Sequence, residues 1–164
     1  MTELEQALER FRRGGELLAA VTTGAAGPEL DYLPEGAELS AREIAWHLMD
    51  TEIVTRERFC RVLAEDNPTL LSFNGSLWAL KLEYKKRKLS IAVEMFRTVR
   101  TQNFELLKDQ PAEAWSRSGT HSEDGPMTLL QLLRQAAEHT EAHALEIREL
   151  RALYKERQKS LQTS

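Results

Sequence analysis

The chain has little cysteine: one residue, Cys60, in 164 positions. That excludes an intramolecular disulfide and any cysteine-based zinc or iron–sulfur site. It lacks a basic excess, with 22 Lys and Arg against 26 Asp and Glu and a net charge of −4. Nucleic-acid binding needs a positive stripe that displaces counterions, so no nucleic-acid partner is expected. No apolar run approaches the roughly 20 residues of a membrane span, so no membrane partner is expected either. The opening MTELEQALERF carries acid where a secretion signal carries base and then a long apolar core. These absences point to a reduced, cytoplasmic protein. Strand-like alternation, repeats and low-complexity tracts are almost absent. What remains is 41% apolar and 29% charged residues, enough for one domain with a buried core.

Helical periodicity dominates. The first segment, about Thr2 to Val21, places Leu4, Leu8, Phe11, Leu18 and Val21 on one face. Gly14-Gly15 inside it costs on the order of 1 kcal/mol per glycine, which predicts a weak spot or a close helix–helix approach. TGAAGPELDYLPEGAEL then breaks the helix. The second segment starts at the capping box Ser40-Ala-Arg-Glu43 and ends near Asp66, with Ile44, His47, Leu48, Thr51, Val54, Thr55, Phe59 and Val62 inward. The third is predicted from about Leu82 to Lys108, with Leu89, Ala92, Phe96, Val99, Asn103, Leu106 and Leu107 as its stripe, and Asp109-Gln-Pro111 stops it. The loop SRSGTHSEDGPM has room for a small hairpin. The fourth opens with the capping box Thr128-Leu-Leu-Gln131 and frays after Tyr154 into KERQKSLQTS.

Four stripes of this length bury one another only by bundling. The expected fold is an all-α four-helix bundle in a single domain over 1–155, with 156–164 a frayed tail. The connections exceed the two to eight residues usual between adjacent bundle helices, which permits crossovers.

Three of the four histidines lie on apolar stripes. His139 and His143 are four residues apart, so one helix face presents both imidazoles. This is how a helix offers two nitrogens to one metal ion, and His47 is the remaining inward-facing histidine. Pair counting gives roughly one chance in fourteen of some histidine pair four apart, so spacing alone is weak, and a hydrogen-bonded core histidine is the simpler reading of each residue. Three inward imidazoles on two helices all need partners, and a shared metal supplies one to each. Three protein nitrogens leave positions open for water or substrate, as a catalytic site requires. The motif is not HExxH, because Thr140 follows His139 and Glu141 points to solvent. Asp50, three residues after His47, and Glu146, three after His143, are candidates to hold the outer imidazole nitrogens, with a solvated flank as the alternative for both. Glu43 is used by its capping box.

His121 reads as an exposed loop residue, and Asn103 as a core amide bonded to loop backbone. Cys60 reads as a packed thiol, and Lys85–Lys88 as a solvated helix face. Phe73, Trp78 and Trp115 either line a pocket mouth or plug the bundle ends. There is no GxGxxG, P-loop or GxSxG, and no catalytic acid or base can be named.

AREIAWHLMDTEIVTRERF, with Asp and Glu three and five residues after its histidine, resembles the second helix of the DinB-like superfamily. GPMTLLQLLRQAAEHTEAHALEIREL resembles its fourth, and FNGSLWALKLEY, RTVRTQNFELL and WSRSGTHSEDGPMTL follow in family order, from roughly Leu4 to Leu150. The resemblance implies an up-down-down-up bundle and a metal triad at His47, His139 and His143. It implies nickel, zinc or iron, a homodimer, and a small-molecule substrate. The implied chemistry is thiol S-transfer with a low-molecular-weight thiol such as bacillithiol or mycothiol, ranked ahead of metal-dependent hydrolysis. Where some relatives carry an acid before the third helix, this chain has Asn74-Gly75-Ser76. The alternative is a non-catalytic stress-response or interaction bundle in which a structural metal staples the second and fourth helices.

Overall fold

A computed structural model describes residues 1–163. Four long helices form the bundle: α1 (Glu3–Thr22), α3 (Ala41–Ala64), α5 (Leu89–Leu107) and α6 (Leu129–Gln162). Short helices α2 (Gly27–Leu30) and α4 (Gly75–Lys81) lie in the first two connections. The capping boxes at Ser40 and Thr128 form as the sequence predicts, and a third forms at Thr2 with Glu5. Each satisfies orphan backbone N–H groups of the first helical turn.

Cross-helix pairs give the helix directions. Glu3 pairs with Arg134, and Arg10 with Glu141, each at a sequence separation of 131. A constant separation means that α1 and α6 run parallel. Arg42 to Arg87 and Arg56 to Gln102 have separations of 45 and 46, so α3 and α5 are parallel too. The core shows how these pairs oppose each other. One apolar cluster joins Phe11 of α1 to Phe59 and Val62 of α3, Leu107 of α5 and Leu129 and Leu133 of α6. The other joins the α1 C-terminus (Leu18, Val21) to the α3 and α5 starts (Ile44, Leu48, Ala92, Phe96) and the far half of α6 (Ile147, Leu150). The order is therefore up-down-down-up. Because α3 and α5 are parallel, residues 65–88 must travel back along the bundle between them.

That return does not begin α5 at Leu82. Glu83 is left-handed (φ 54°), Tyr84–Lys86 form a single 3-10 turn, and α5 starts at Leu89. The left-handed Glu83 interrupts the helical path before Tyr84, so α5 can begin only beyond the 3-10 turn, with Lys88 as its N-cap. The loop after α5 does contain a hairpin, β2 (Ser118–His121) and β3 (Gly125–Thr128). The sequence does not suggest its third strand, β1 (Thr69–Leu70), which pairs parallel to β2 and ties the α3–α5 connection to the α5–α6 connection. The predicted fray after Tyr154 is also corrected. Good helix formers carry α6 to Gln162, and Tyr154 and Arg157 both pack on Tyr32. Among the described residues no helix is long and apolar enough to cross a membrane.

The centre of the bundle is charged. Arg100 on α5 and Glu52 on α3 are both 2% exposed and pair at 2.7 Å. Arg100 Nη2 also donates to Thr140 Oγ1 on α6 (2.7 Å), and Nη1 donates to the Phe11 carbonyl of α1 (3.0 Å). Its guanidinium lies 4.0 Å from the Phe11 ring centroid. Asn103 donates to Glu52 Oε1 at 2.6 Å, which replaces the predicted loop-backbone partner. Gly14 makes room for this cluster, since a Cβ there would sit 2.5 Å from Arg100 Nη1. The glycine pair is thus a close approach to a side chain of α5.

Removing one partner of a buried ion pair strands the other charge. Glu52→Ala should lower stability by about 3–5 kcal/mol in urea denaturation. The double variant Glu52→Leu/Arg100→Met should recover at least half of that loss. Equal losses in both would show that the charges are not what holds the four helices together.

Candidate metal centre

His47 sits two turns into α3, and His139 and His143 sit midway along α6. Their potential ligand atoms all lie within 4.8 Å of one another. His47 Nε2 and His139 Nε2 are 3.1 Å apart. Two nitrogens bound to one ion at about 2.0–2.1 Å are about 2.8–3.4 Å apart for right-angle to tetrahedral geometry. The three rings pack edge-on, with centroids 4.5–5.1 Å apart. All three residues are partly buried. The triad is close enough to hold a single metal ion.

The outer nitrogens differ. His143 Nδ1 pairs with Glu146 Oε2 at 2.8 Å, which leaves Nε2 as its inward atom. Asp50 does not reach His47. It accepts a hydrogen bond from the Tyr84 hydroxyl, which the returning connection places over α3. His47 Nδ1 is buried without a hydrogen-bond partner, and a Cβ at Gly75 would sit 3.0 Å from it. The ring is therefore held by the backbone of α4, and the glycine of Asn74-Gly75-Ser76 is what fits there. Glu141, expected in solvent, is half-buried against Arg10 of α1.

Burial disfavours charge on these rings. It pushes His47 down to about 4 and His139 down to about 3, with repulsion from His143 adding to both shifts. At neutral pH both are neutral imidazoles with lone pairs available to a cation.

His47 and His139 of the triad border a cavity of about 250 Å³ between α3 and α6. His47, Thr51, Thr55 and Arg58 line it from α3 at three- and four-residue spacing, and His139, Ala136 and Leu132 line it from α6. Phe73 and Gly75 close one side; Phe73 stacks on Trp78 with centroids 4.5 Å apart. Trp115 instead plugs the end of the bundle, 6% exposed. His121 is a correction. It is 6% exposed and lines the cavity, because strand pairing turns it inward. The buried cluster Glu52–Arg100–Thr140 lies on the cavity wall, and the apolar stripe pattern does not reveal it. Its signal was available: Glu52 lies four residues after Leu48, and Arg100 four after Phe96, so opposite charges occupy apolar-stripe positions on two helices.

This fold and site define a class. The DinB superfamily profile matches residues 10–147. The chain belongs to that superfamily. Among solved structures it is similar to YfiT from Bacillus subtilis, described as a probable metal-dependent hydrolase with an unusual four-helix bundle topology. The two share 18% identity with a TM-score of 0.86, over 93% of this chain and 87% of that one. No curated protein sequence matches the chain.

The depressed imidazoles have a stability consequence. An unfolded histidine titrates near 6.5, above the folded values, so the unfolded state takes up protons first as pH falls. His47 and His139 therefore give full stability above about pH 6.5 and lose it progressively down to about pH 4 and about pH 3, respectively. The slope is at most about 1.4 kcal/mol per pH unit for each imidazole, less for their partial exposure. In EDTA, Tm should fall by several degrees between pH 7 and pH 5, and fall less in His139→Gln. Equal slopes for the two proteins would contradict the shifts.

Proposed function

We propose that the chain is a divalent-metal-dependent enzyme, with the ion held by His47, His139 and His143, and that its reaction is hydrolysis of a small substrate. The observation that carries this reading is the convergence of three imidazoles, two of which, His47 and His139, line the wall of a cavity. Three nitrogens leave coordination positions open, and the cavity gives a substrate somewhere to lie. A purely structural ion would normally be closed by a fourth protein ligand. When bound, a divalent ion supplies Lewis acidity and lowers the pKa of a ligating water or thiol.

The protein's own residues supply the rest. Glu146 fixes the ring orientation of His143, and Gly75 and Phe73 confine that of His47. Thr140, held by Arg100, fixes the turn of α6 that carries His139. Leu132, Phe59 and Phe73 give the cavity apolar walls, which exclude water and strengthen polar contacts within it. Its volume of about 250 Å³ is small beside the roughly 300–1,000 Å³ of drug-sized ligand sites. That favours a compact substrate and water over simultaneous binding of a glycosylated thiol and an electrophile. Thiol S-transfer, which the family resemblance implies, is the second reading. It would need residues 72–75 to move outward.

Protein purified without a histidine tag should bind close to one equivalent of nickel, zinc or iron. Its Tm should rise with added metal, and His139→Ala should abolish the rise. Metal-dependent hydrolysis of small ester and amide substrates without added thiol supports the first reading. Turnover that requires bacillithiol or mycothiol supports the second. No metal uptake by the tag-free protein would overturn both.

A further inference from the structure

The cavity carries a second set of polar groups, away from the triad, that metal binding does not use. Arg58 lies on the same α3 face as His47, eleven residues further on, and lines the same cavity. The rise of about 1.5 Å per residue separates their backbones by about 16 Å along the helix. Among the described residues Arg58 makes one hydrogen bond, from Nη2 to the Leu71 carbonyl at 2.7 Å. Its Nε is buried and unpartnered. No described carboxylate lies within ion-pair distance. Glu57, its neighbour on α3, pairs with Arg61 instead. Glu123 and Asp124 border the cavity from the hairpin turn with exposed side chains, and Asp124 acts on Arg58 only from beyond ion-pair distance. Burial lowers the Arg58 pKa, while the charges of Glu57 and Asp124 oppose that shift. A partly desolvated guanidinium with no carboxylate at hydrogen-bond distance is costly unless an anion completes it.

His121 adds a donor at the same end. The Glu123 and Asp124 backbone N–H groups both donate to its Nδ1, at 3.3 and 3.2 Å. Asp124 Oδ2 lies 3.4 Å from the same nitrogen, so Nδ1 is occupied from within the hairpin turn and Nε2 is the ring nitrogen left for a ligand. No described residue hydrogen-bonds to Nε2. Arg100, the other cation at the cavity, is already neutralised by Glu52.

We propose that Arg58 and His121 form an anion subsite for the carboxylate of a small substrate whose reacting end lies at the imidazole triad. The inference rests on the cavity being the substrate site, as in the preceding reading, and needs no particular reaction there. A planar guanidinium and a coplanar carboxylate match in donor and acceptor geometry, and a charged pair in a small cavity sets substrate register as well as affinity. The substrate class is a compact carboxylic acid with its scissile or electrophilic group several bonds from the carboxylate. The apolar walls, Phe59, Leu132 and Phe73, accommodate an aliphatic or aromatic spacer.

The test uses benzoate and its neutral isostere benzamide, titrated into the 15N-labelled full chain in EDTA and again with one equivalent of zinc. The Arg58 Nε–H signal is assigned by its loss in Arg58→Lys. Expected is a saturable shift of that signal with benzoate and none with benzamide, with or without zinc. Arg58→Gln should weaken benzoate binding by about tenfold or more, with Arg58→Lys intermediate. His121→Phe should weaken it and His121→Gln, which keeps a donor, should weaken it less. Should Arg58→Gln fail to fold, the wild-type Arg58 signal decides alone. An unmoved Arg58 signal, equal binding of benzamide, or unchanged affinity in Arg58→Gln would overturn the subsite. Benzoate that binds only with zinc and leaves Arg58 unmoved would place the carboxylate on the metal, overturning this inference while leaving the metal reading intact. Absence of zinc uptake alongside an Arg58 shift would do the reverse.

Discussion

The buried pair between Glu52 and Arg100 is the contact on which the site geometry depends. It sits where four helices meet, and its hydrogen bonds reach all of them: Phe11 on α1, Glu52 on α3, Asn103 on α5 and Thr140 on α6. Apolar packing alone would tolerate a helix sliding or rotating by a fraction of a turn. A desolvated ion pair does not, because a small shift leaves a charge unpaired in a low dielectric. Glu52 is five residues after His47, and Thr140 directly follows His139. The network therefore sets the relative depth and rotation of the two helices that carry the imidazoles. Gly14 is the accommodation made for it on α1, at some cost in helix propensity.

The up-down-down-up order explains how the other half of the site is built. Parallel α3 and α5 force residues 65–88 to recross the bundle, and that segment brings Phe73, Gly75 and Tyr84 onto α3. Strand pairing between β1 and β2 then locks the recrossing chain to the hairpin that carries His121. Two loops unrelated in sequence thereby become the walls of one cavity. Without that cover His47 would be more exposed to water and its pKa would move back towards 6.5. The long connection thus contributes to keeping His47 neutral and ready to accept a cation.

Much of this was legible in the sequence. Capping boxes at Ser40 and Thr128 and three- and four-residue periodicity gave the bundle helices, and helical spacing placed His47, His139 and His143 inward. The errors share a cause. Arg100 was missed because a charge on an apolar stripe reads as an interruption, although Glu52 on the facing stripe is its complement. His121 was misread because its polar loop becomes a strand only through pairing with β1, a contact between chain segments about fifty residues apart. Asp50 has the right spacing for His47, yet Tyr84, supplied from the distant 3-10 turn, competes for it. The predicted fray of α6 overlooked Tyr32, which packs on the final turns. Local pattern cannot supply partners brought together by topology.

The central claim is that three imidazoles from two helices bind one ion and leave it an open face. X-ray absorption at the zinc edge, on tag-free protein loaded with one equivalent, tests it most directly. The account predicts a first shell containing three imidazole nitrogens at about 2.0–2.1 Å with one or more water-derived oxygens, and loss of one imidazole in His139→Ala. A shell without multiple imidazole scattering, or one unchanged by that substitution, would contradict it.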